Sequence, residues 1–435
     1  MKPSSARQRL EAALARIDDP AGEGVRACLT VYRDRAVAEA DAADARARAG
    51  QSHGPLDGAI VSIKDLFDVA GEVTRAGSRI LADEGKPAAQ DAPVVQRLRA
   101  AGAVIVAKTN MTEFAFSGVG TNPHYGTPGT PVDRSRVPGG SSSGAAVAAA
   151  DGMCEIAIGS DTGGSTRIPA ALCGIVGFKP SKPRVPTQGV FPLSTTLDSI
   201  GPLAKTVAQC ALADAVMAGE APQPLADVPL SGLRCGVVQG FPLDDLDATV
   251  AAAFERSCRL LSRAGARLSD DPAPLLDDMR RVNARGAIVP YEAYQLHRDR
   301  LARRFGDIDR KIAARIKAAE AISADDYAWM LAQRRRLVQA MDERIAAAFD
   351  VLVLPTVPIV APTIAEVEDD GTFARKNARL LRNPSFVNFF DLCAVSLPMP
   401  GSALPTGLML VARHGQDRRL LAVAAMVERL FASDG

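Results

Sequence analysis

The chain is short of several things, and each shortage narrows what it can be. Its 435 residues include only four histidines, His53, His124, His297 and His414, none inside a strongly apolar run. All four read as surface or loop residues, so a histidine base or histidine-rich metal site has little to draw on. Seven cysteines (Cys28, Cys154, Cys173, Cys210, Cys235, Cys258 and Cys393) are scattered without a CxxC pair. That excludes the common zinc and dithiol motifs and leaves small core hydrophobes suited to a reducing compartment. Aromatic residues make up 5%, with Trp329 the sole tryptophan. A large aromatic cage is excluded, while Phe114, Phe116, Tyr125 and Phe191 suffice to line a smaller pocket. Neither sign of charge prevails: 51 Lys+Arg against 50 Asp+Glu leaves +1, which argues against direct nucleic-acid binding or a membrane-surface role. No apolar run reaches the ~18–20 residues of a membrane span. The opening "MKPSSARQRLEAALARIDDP" has no apolar core of a signal peptide, so a cytoplasmic setting is expected. HExxH, Walker A, EF-hand and G-x-G-x-x-G patterns are all missing, and neither a metal nor a cofactor is expected.

What is present is a globular composition, 47% hydrophobic with 36 glycines and 29 prolines, and no internal repeat. An alanine- and arginine-rich segment over residues 1–50 reads as helical. "GAIVSIKDLFDV" reads as a buried strand, "DAPVVQRLRAAGA" as a short helix with Asp91 as N-cap, Pro93 in its first turn and Gly102 as its stop, and "AVIVAK" as the next strand. The pattern recurs with strands at "LRCGVVQG", "DVLVLPTVP" and "TGLMLVAR" and helices at "DATVAAAFERSCRLLSRAGA" and "DRRLLAVAAMVERLFAS". Strand–helix–strand units with short joints predict an α/β fold: one large, mixed, mostly parallel twisted sheet covered by helices on both faces. Residues 272–348 read as a mostly helical insertion. Within it, Arg298–Lys317 carries eight basic and three acidic residues, read as a solvated helix face ahead of an anion-binding surface.

The densest chemical signal is "GGSSSGAAVAAADGMCEIAIGSDTGGSTRIPA", from Gly139 to Ala170. Serines open a helix, alanines carry it, Gly152 stops it, and "EIAIGS" is a short apolar strand. The following "DTGGST" is a glycine turn whose successive N–H groups can point one way, beside Ser165. Ser165 is thus a candidate nucleophile, although serines at such turns more often cap the next helix. A serine needs a base. Lys64, inside the buried strand, is a candidate because burial disfavours its ammonium form; a lysine that snorkels or pairs with Asp65 or Asp68 fits the same position. Two shorter motifs fail on context. Gly140–Gly144 fits G-x-S-x-G, but the approach "TPGTPVDRSRVPGG" is no central strand. Asp161-Thr162-Gly163 has no second copy to share a proton with.

Taken together, "PLDGAIVSIKDLFDVAG", "KTNMTEFAFSGVGTNPHYGTPGTP", "VPGGSSSGAAVAA" and "AIGSDTGGSTRIPAALCGIVGFKPS", continued by "LSTTLDSIGPLAKTV", resemble the amidase signature family. The likeness is strongest over residues 54–207. It implies one amidase domain over 1–435 and a Ser–Ser–Lys triad: Ser165 as nucleophile, Ser141 as bridging serine after a cis Gly140–Ser141 bond, and Lys64 as base. It also implies an oxyanion hole of the Thr162, Gly163, Gly164 and Ser165 N–H groups, and supporting or pocket roles for Ser160, Asp161, Arg167 and Ser142. "GGSSSG" departs from the commoner "GGSSGG" by Ser143 alone, which leaves the triad untouched. The implied activity is cleavage of a carboxylic amide through a serine acyl-enzyme. Other members set two alternatives: the glutaminase subunit of a tRNA-dependent amidotransferase, and a ureido-acid hydrolase of biuret or allophanate type. The implied partner is a small-molecule amide, with pocket residues from the 272–348 insertion; a homodimer is the base-rate expectation.

Overall fold

The strand expected within "GAIVSIKDLF" runs from Ile60 to Lys64 and is buried along its whole length. It lies between two parallel neighbours in the computed structural model, which describes residues 5–434. Among the described residues eleven strands form one sheet. In chain order they are β1 (Cys28–Val31), β2 (Ile60–Lys64), β3 (Val104–Thr109), β4 (Ile156–Asp161), β5 (Val176–Lys179), β6 (Ser199–Ala204), β7 (Arg234–Val238), β8 (Arg267–Asp271), β9 (Val351–Pro355), β10 (Cys393–Pro398) and β11 (Gly407–Ala412). Their spatial order is β1-β3-β2-β4-β6-β5-β10-β11-β9-β7-β8. Alternate residues serve opposite faces, as the pleat requires. Val61 and Ile63, Ile156 and Ile158, and Leu408 and Leu410 enter one core. Ile60 and Ala157 enter a second core, and Met409 and Val411 a third.

The sheet is mixed, as expected, but parallel pairing does not dominate it. Four of its ten pairings are parallel, β2 with β3 and β4, and β7 with β8 and β9. The other six are antiparallel. Helical crossovers make the parallel units on the two flanks, whereas in the centre β5, β6, β10 and β11 pair antiparallel with one another, and β10 and β11 are joined by a link too short for a crossover. The N-terminal segment is likewise not all helix: β1 separates the helices Ala6–Asp18 and Arg33–Arg48 and pairs antiparallel with β3. Asp91 does not cap the helix Pro93–Ala100. Ala92 is its N-cap, Pro93 fills the first turn, and Asp91 accepts instead from the Ala70 N–H at 2.8 Å. Residues 272–348 are helical as expected, in Leu275–Asn283, Ile288–Arg304, Arg310–Ala318 and Ala324–Ala348. No helix of the described residues is long and apolar enough to cross a membrane.

Candidate active site

Lys64 ends β2, and its side chain is fully buried. Its Nζ donates to Ser141 Oγ and to Ser160 Oγ, each at 2.8 Å. Ser160 comes from β4, parallel to β2, and Ser141 from the turn before the helix Ser143–Ala150. The Gly140–Ser141 peptide bond is cis. Neither alternative partner takes the lysine: Asp65 accepts from Arg75 Nη2 at 3.2 Å, and Asp68 accepts from Thr74 Oγ1. Burial therefore governs its titration. It brings the amine down from 10.5 to about 7, against the smaller upward pull of Asp198 and Asp161.

Ser165 sits across from this pair, in the turn that leaves β4. The Ser142 N–H donates to the Ser165 carbonyl at 3.4 Å, which holds the two serine segments side by side. No hydrogen bond joins the Ser141 and Ser165 hydroxyls among the described residues. Free sites commonly leave such links loose until substrate arrives. Gly164 has φ +125°, and a Cβ there would lie 2.5 Å from Pro384 Cβ, so only glycine fits. Its N–H donates to Asp161 Oδ1 at 2.8 Å. This corrects the expectation of four oxyanion donors, because an N–H held by a carboxylate is already spent. Thr162, Gly163 and Ser165 keep N–H groups without a partner among the described residues.

Asp161 and Arg167 lie below the turn and do not line its cavity. Arg167 donates through Nε and Nη2 to Asp161, and through Nη1 to the Pro384 carbonyl at 3.0 Å. Asn388 completes the cluster: its Nδ2 donates to Asp161 Oδ1 at 2.9 Å and its Oδ1 accepts from Arg167 at 2.7 Å. The Arg167 charge and these hydrogen bonds outweigh burial and hold Asp161 far below the usual carboxylate range. Ser142 does not cap its helix; its Oγ donates to the Ser160 carbonyl at 3.3 Å, a supporting tie to β4. Ser143 Oγ is buried with no partner.

A cavity of about 220 Å³ opens at Ser165. Thr162 and Gly163 form its floor, Phe116 and Leu193 are among its walls, and Asn283 and Arg315 reach it from residues 272–348. A second cavity of about 230 Å³ touches Ser160, Thr162, Asp198 and Phe191. Of the four aromatics expected at a pocket, Phe116 lines the first cavity and Phe191 the second. Phe114 packs against His297 with ring centres 4.0 Å apart and planes tilted by 33°, and Tyr125 lies outside both. His297 is no surface residue: it is fully buried between Phe114 and Phe191, and burial pushes its imidazole down to about 3. Sequence reasoning missed Asp198, which accepts from Thr162 Oγ1, as well as Asn388 and Arg315. "TTLDSIGP" held a signal for Asp198, an acid at the mouth of a strand. "NPSFVNFF" offered none beyond Asn-Pro as a helix start.

The Amidase family profile matches residues 8–421. A 2-amino-5-chloromuconic acid deaminase of Comamonas testosteroni is 36% identical over 409 residues, 91% of this chain and 87% of that protein. A glutamyl-tRNA(Gln) amidotransferase subunit of Streptomyces coelicolor is 36% identical over 467 residues, 98% of this chain and 92% of that one. A crystal structure of an amidase matches with a TM-score of 0.86 at 32% identity, covering 98% of this chain and 96% of the other. The structure of 6-aminohexanoate cyclic dimer hydrolase complexed with substrate matches at 0.85 and 25% identity, covering 98% and 94%. On this match over nearly the whole chain, the protein belongs to the amidase signature family of amide-hydrolysing enzymes.

Proposed function

We propose that Ser165 is the nucleophile of this amidohydrolase, Lys64 its base and Ser141 the hydroxyl that carries protons between them. One observation carries the reading: a fully buried lysine, brought to about 7, with its nitrogen 2.8 Å from Ser141 Oγ. The neutral amine takes the Ser141 proton as Ser141 takes that of Ser165, so no free alkoxide accumulates. Ser165 Oγ bonds to the amide carbon, and the carbonyl oxygen becomes an oxyanion facing the Thr162, Gly163 and Ser165 N–H groups. The C–N bond then breaks as Ser141 gives its proton to the departing nitrogen and recovers one from the Lys64 ammonium. Water, deprotonated by the same relay, releases the acid and frees Ser165. Lys64→Ala and Ser165→Ala each lower kcat by orders of magnitude without changing the circular-dichroism spectrum, and hydroxylamine traps a hydroxamate with the native enzyme. Near-native turnover by either variant overturns the assignment.

The second reading is a glutaminase within a tRNA-dependent amidotransferase, favoured by the match to the Streptomyces coelicolor amidotransferase chain over 98% of this one. Hydrolysis of glutamine that depends on tRNA, ATP or a partner protein selects it; hydrolysis of amides by the purified chain alone selects the stand-alone enzyme. We read the setting as cytoplasmic, in keeping with seven free cysteines, six of them buried, and a second copy of the chain as the partner that light scattering tests.

A further inference from the structure

Arg315 is set apart from the basic residues around it. Arg303 and Arg304 pair with Glu84, Arg310 with Asp370 and Lys317 with Glu320. The expected solvated face therefore exists, but Arg315 turns away from it. The helix Arg310–Ala318 buries Ile312, Ala313 and Ile316, and Arg315 follows them inward to the wall of the Ser165 cavity. Its guanidinium carbon stands 4.5 Å from the centre of the Phe116 ring, a cation–π seat that fixes the plane of the fork. Its Nε is buried with no hydrogen-bond partner, and no carboxylate lies within ion-pair distance among the described residues. Burial alone brings this guanidinium down to about 10, because no acid nearby offsets it. An uncompensated cation at the wall of a small cavity is costly unless something anionic joins it there.

The other walls say what kind of anion. Leu193, Leu197, Ile288, Val289, Leu381 and Phe389 make the cavity mostly apolar, and no aspartate or glutamate lines it. A ligand's ammonium group would find no counter-charge. From this geometry we propose that Arg315 anchors a carboxylate of the substrate by a two-pronged pair, so that the preferred substrates are short, singly amidated dicarboxylic acids, with the amide at Ser165 and the free acid at Arg315. The inference rests on the amidohydrolase reading and narrows it: a zwitterion such as glutamine carries the right carboxylate beside a charge the cavity does not accommodate.

The experiment uses the full chain with malonamate, succinamate and glutaramate, each beside the neutral amide of equal length, and with glutamine. The native enzyme favours one of the carboxylated amides by roughly 10²-fold or more in kcat/KM, the scale on which removing one partner of a buried charge pair is felt. Arg315→Met reduces that ratio by a similar factor, mainly through KM, and Arg315→Lys restores part of it, since an ammonium supplies charge without the fork. Binding of the corresponding acids to Ser165→Ala, read by calorimetry with and without Arg315→Met, reports the anchor independently of turnover. Arg315-dependent binding without hydrolysis upholds the anchor and sinks the amidohydrolase reading. Hydrolysis with no preference for the charged amide, or a preference that Arg315→Met leaves in place, overturns the anchor alone, as does equal loss on charged and neutral amides.

Discussion

Arg167 grips Asp161 with two prongs, Nε to Oδ2 at 3.0 Å and Nη2 to Oδ1 at 2.9 Å, and both side chains are wholly out of water. The same carboxylate receives the Gly164 N–H, the Thr166 N–H and the Thr166 hydroxyl. One buried anion thus fixes the turn that presents Ser165, and a paired cation keeps that anion ionised. Asp161→Asn keeps the shape and removes the charge, leaving Arg167 buried and unpaired. The loss is about 3–5 kcal/mol, read as a lower urea midpoint at an unchanged slope. An Asp161→Asn protein that unfolds at the native midpoint would show that the turn is held by something else.

The depressed Lys64 value sets two pH dependences of the same origin. As pH falls through about 7, the amine becomes ammonium; with Lys64 as the proposed base, kcat/KM is expected to fall on the acid side with a midpoint near that pH. Stability follows from linkage. The folded lysine titrates near 7 and the unfolded one near its ordinary 10.5, so between these the unfolded chain binds the extra proton and folding gains stability as pH rises. Lys64→Met removes that contribution. Urea titrations of native and Lys64→Met proteins across this window should differ in slope with pH; parallel curves refute a lysine neutral at pH 8.

Ser143 is the one departure from the family's serine–glycine run, and its buried hydroxyl has no partner. The group lost its hydration on folding and gained nothing in return, a penalty of about 1–3 kcal/mol. Ser143→Ala keeps the helix start and removes the stranded hydroxyl. It is expected to raise the melting temperature while kcat and KM stay at native values. A lower melting temperature means that the hydroxyl has a bonding role after all.

How much of this could be read from the residues follows physical lines. Lys64 was legible as a lysine inside a mostly apolar strand, whereas Ser141 and Ser160 were placed only by the family signature, because serines beside glycines more often cap helices. Strands β2, β3, β4, β7, β9 and β11 were legible because they are mostly apolar runs, whereas the edge strands were not: β1 is four residues between helices, and β8 is the polar "RLSDD". The central β5, β6 and β10 were not: "VGFK" is four residues long, and "SIGPLA" holds a glycine and a proline, the residues that normally argue against a strand. Their strand character comes from the antiparallel partners that flank each of them. Arg315 was hidden for another reason. One arginine among eight basic residues looks like its neighbours, and only the helix's docking decides which of them turns inward.

Glu292 supplies the last test, one of specificity without chemistry. It stands on the helix Ile288–Arg304 and accepts from Tyr327 OH at 2.6 Å and from the Thr196 N–H at 3.3 Å, as well as from the Ser194 and Thr196 hydroxyls. The segment it clamps includes Leu193 and Leu197, which form part of the cavity wall. A charged acceptor shared by three hydroxyls is worth more than a neutral one, about 1.5–3 kcal/mol per bond against roughly 1. Glu292→Gln exchanges charged bonds for weaker neutral ones and lets the wall drift. The expected effect is a rise in KM of roughly tenfold, about 1.4 kcal/mol, with kcat and the rate of Ser165 labelling by a small fluorophosphonate close to native. If kcat and labelling fall together with the affinity, Glu292 reaches the nucleophile itself, and the clamp is not confined to the wall.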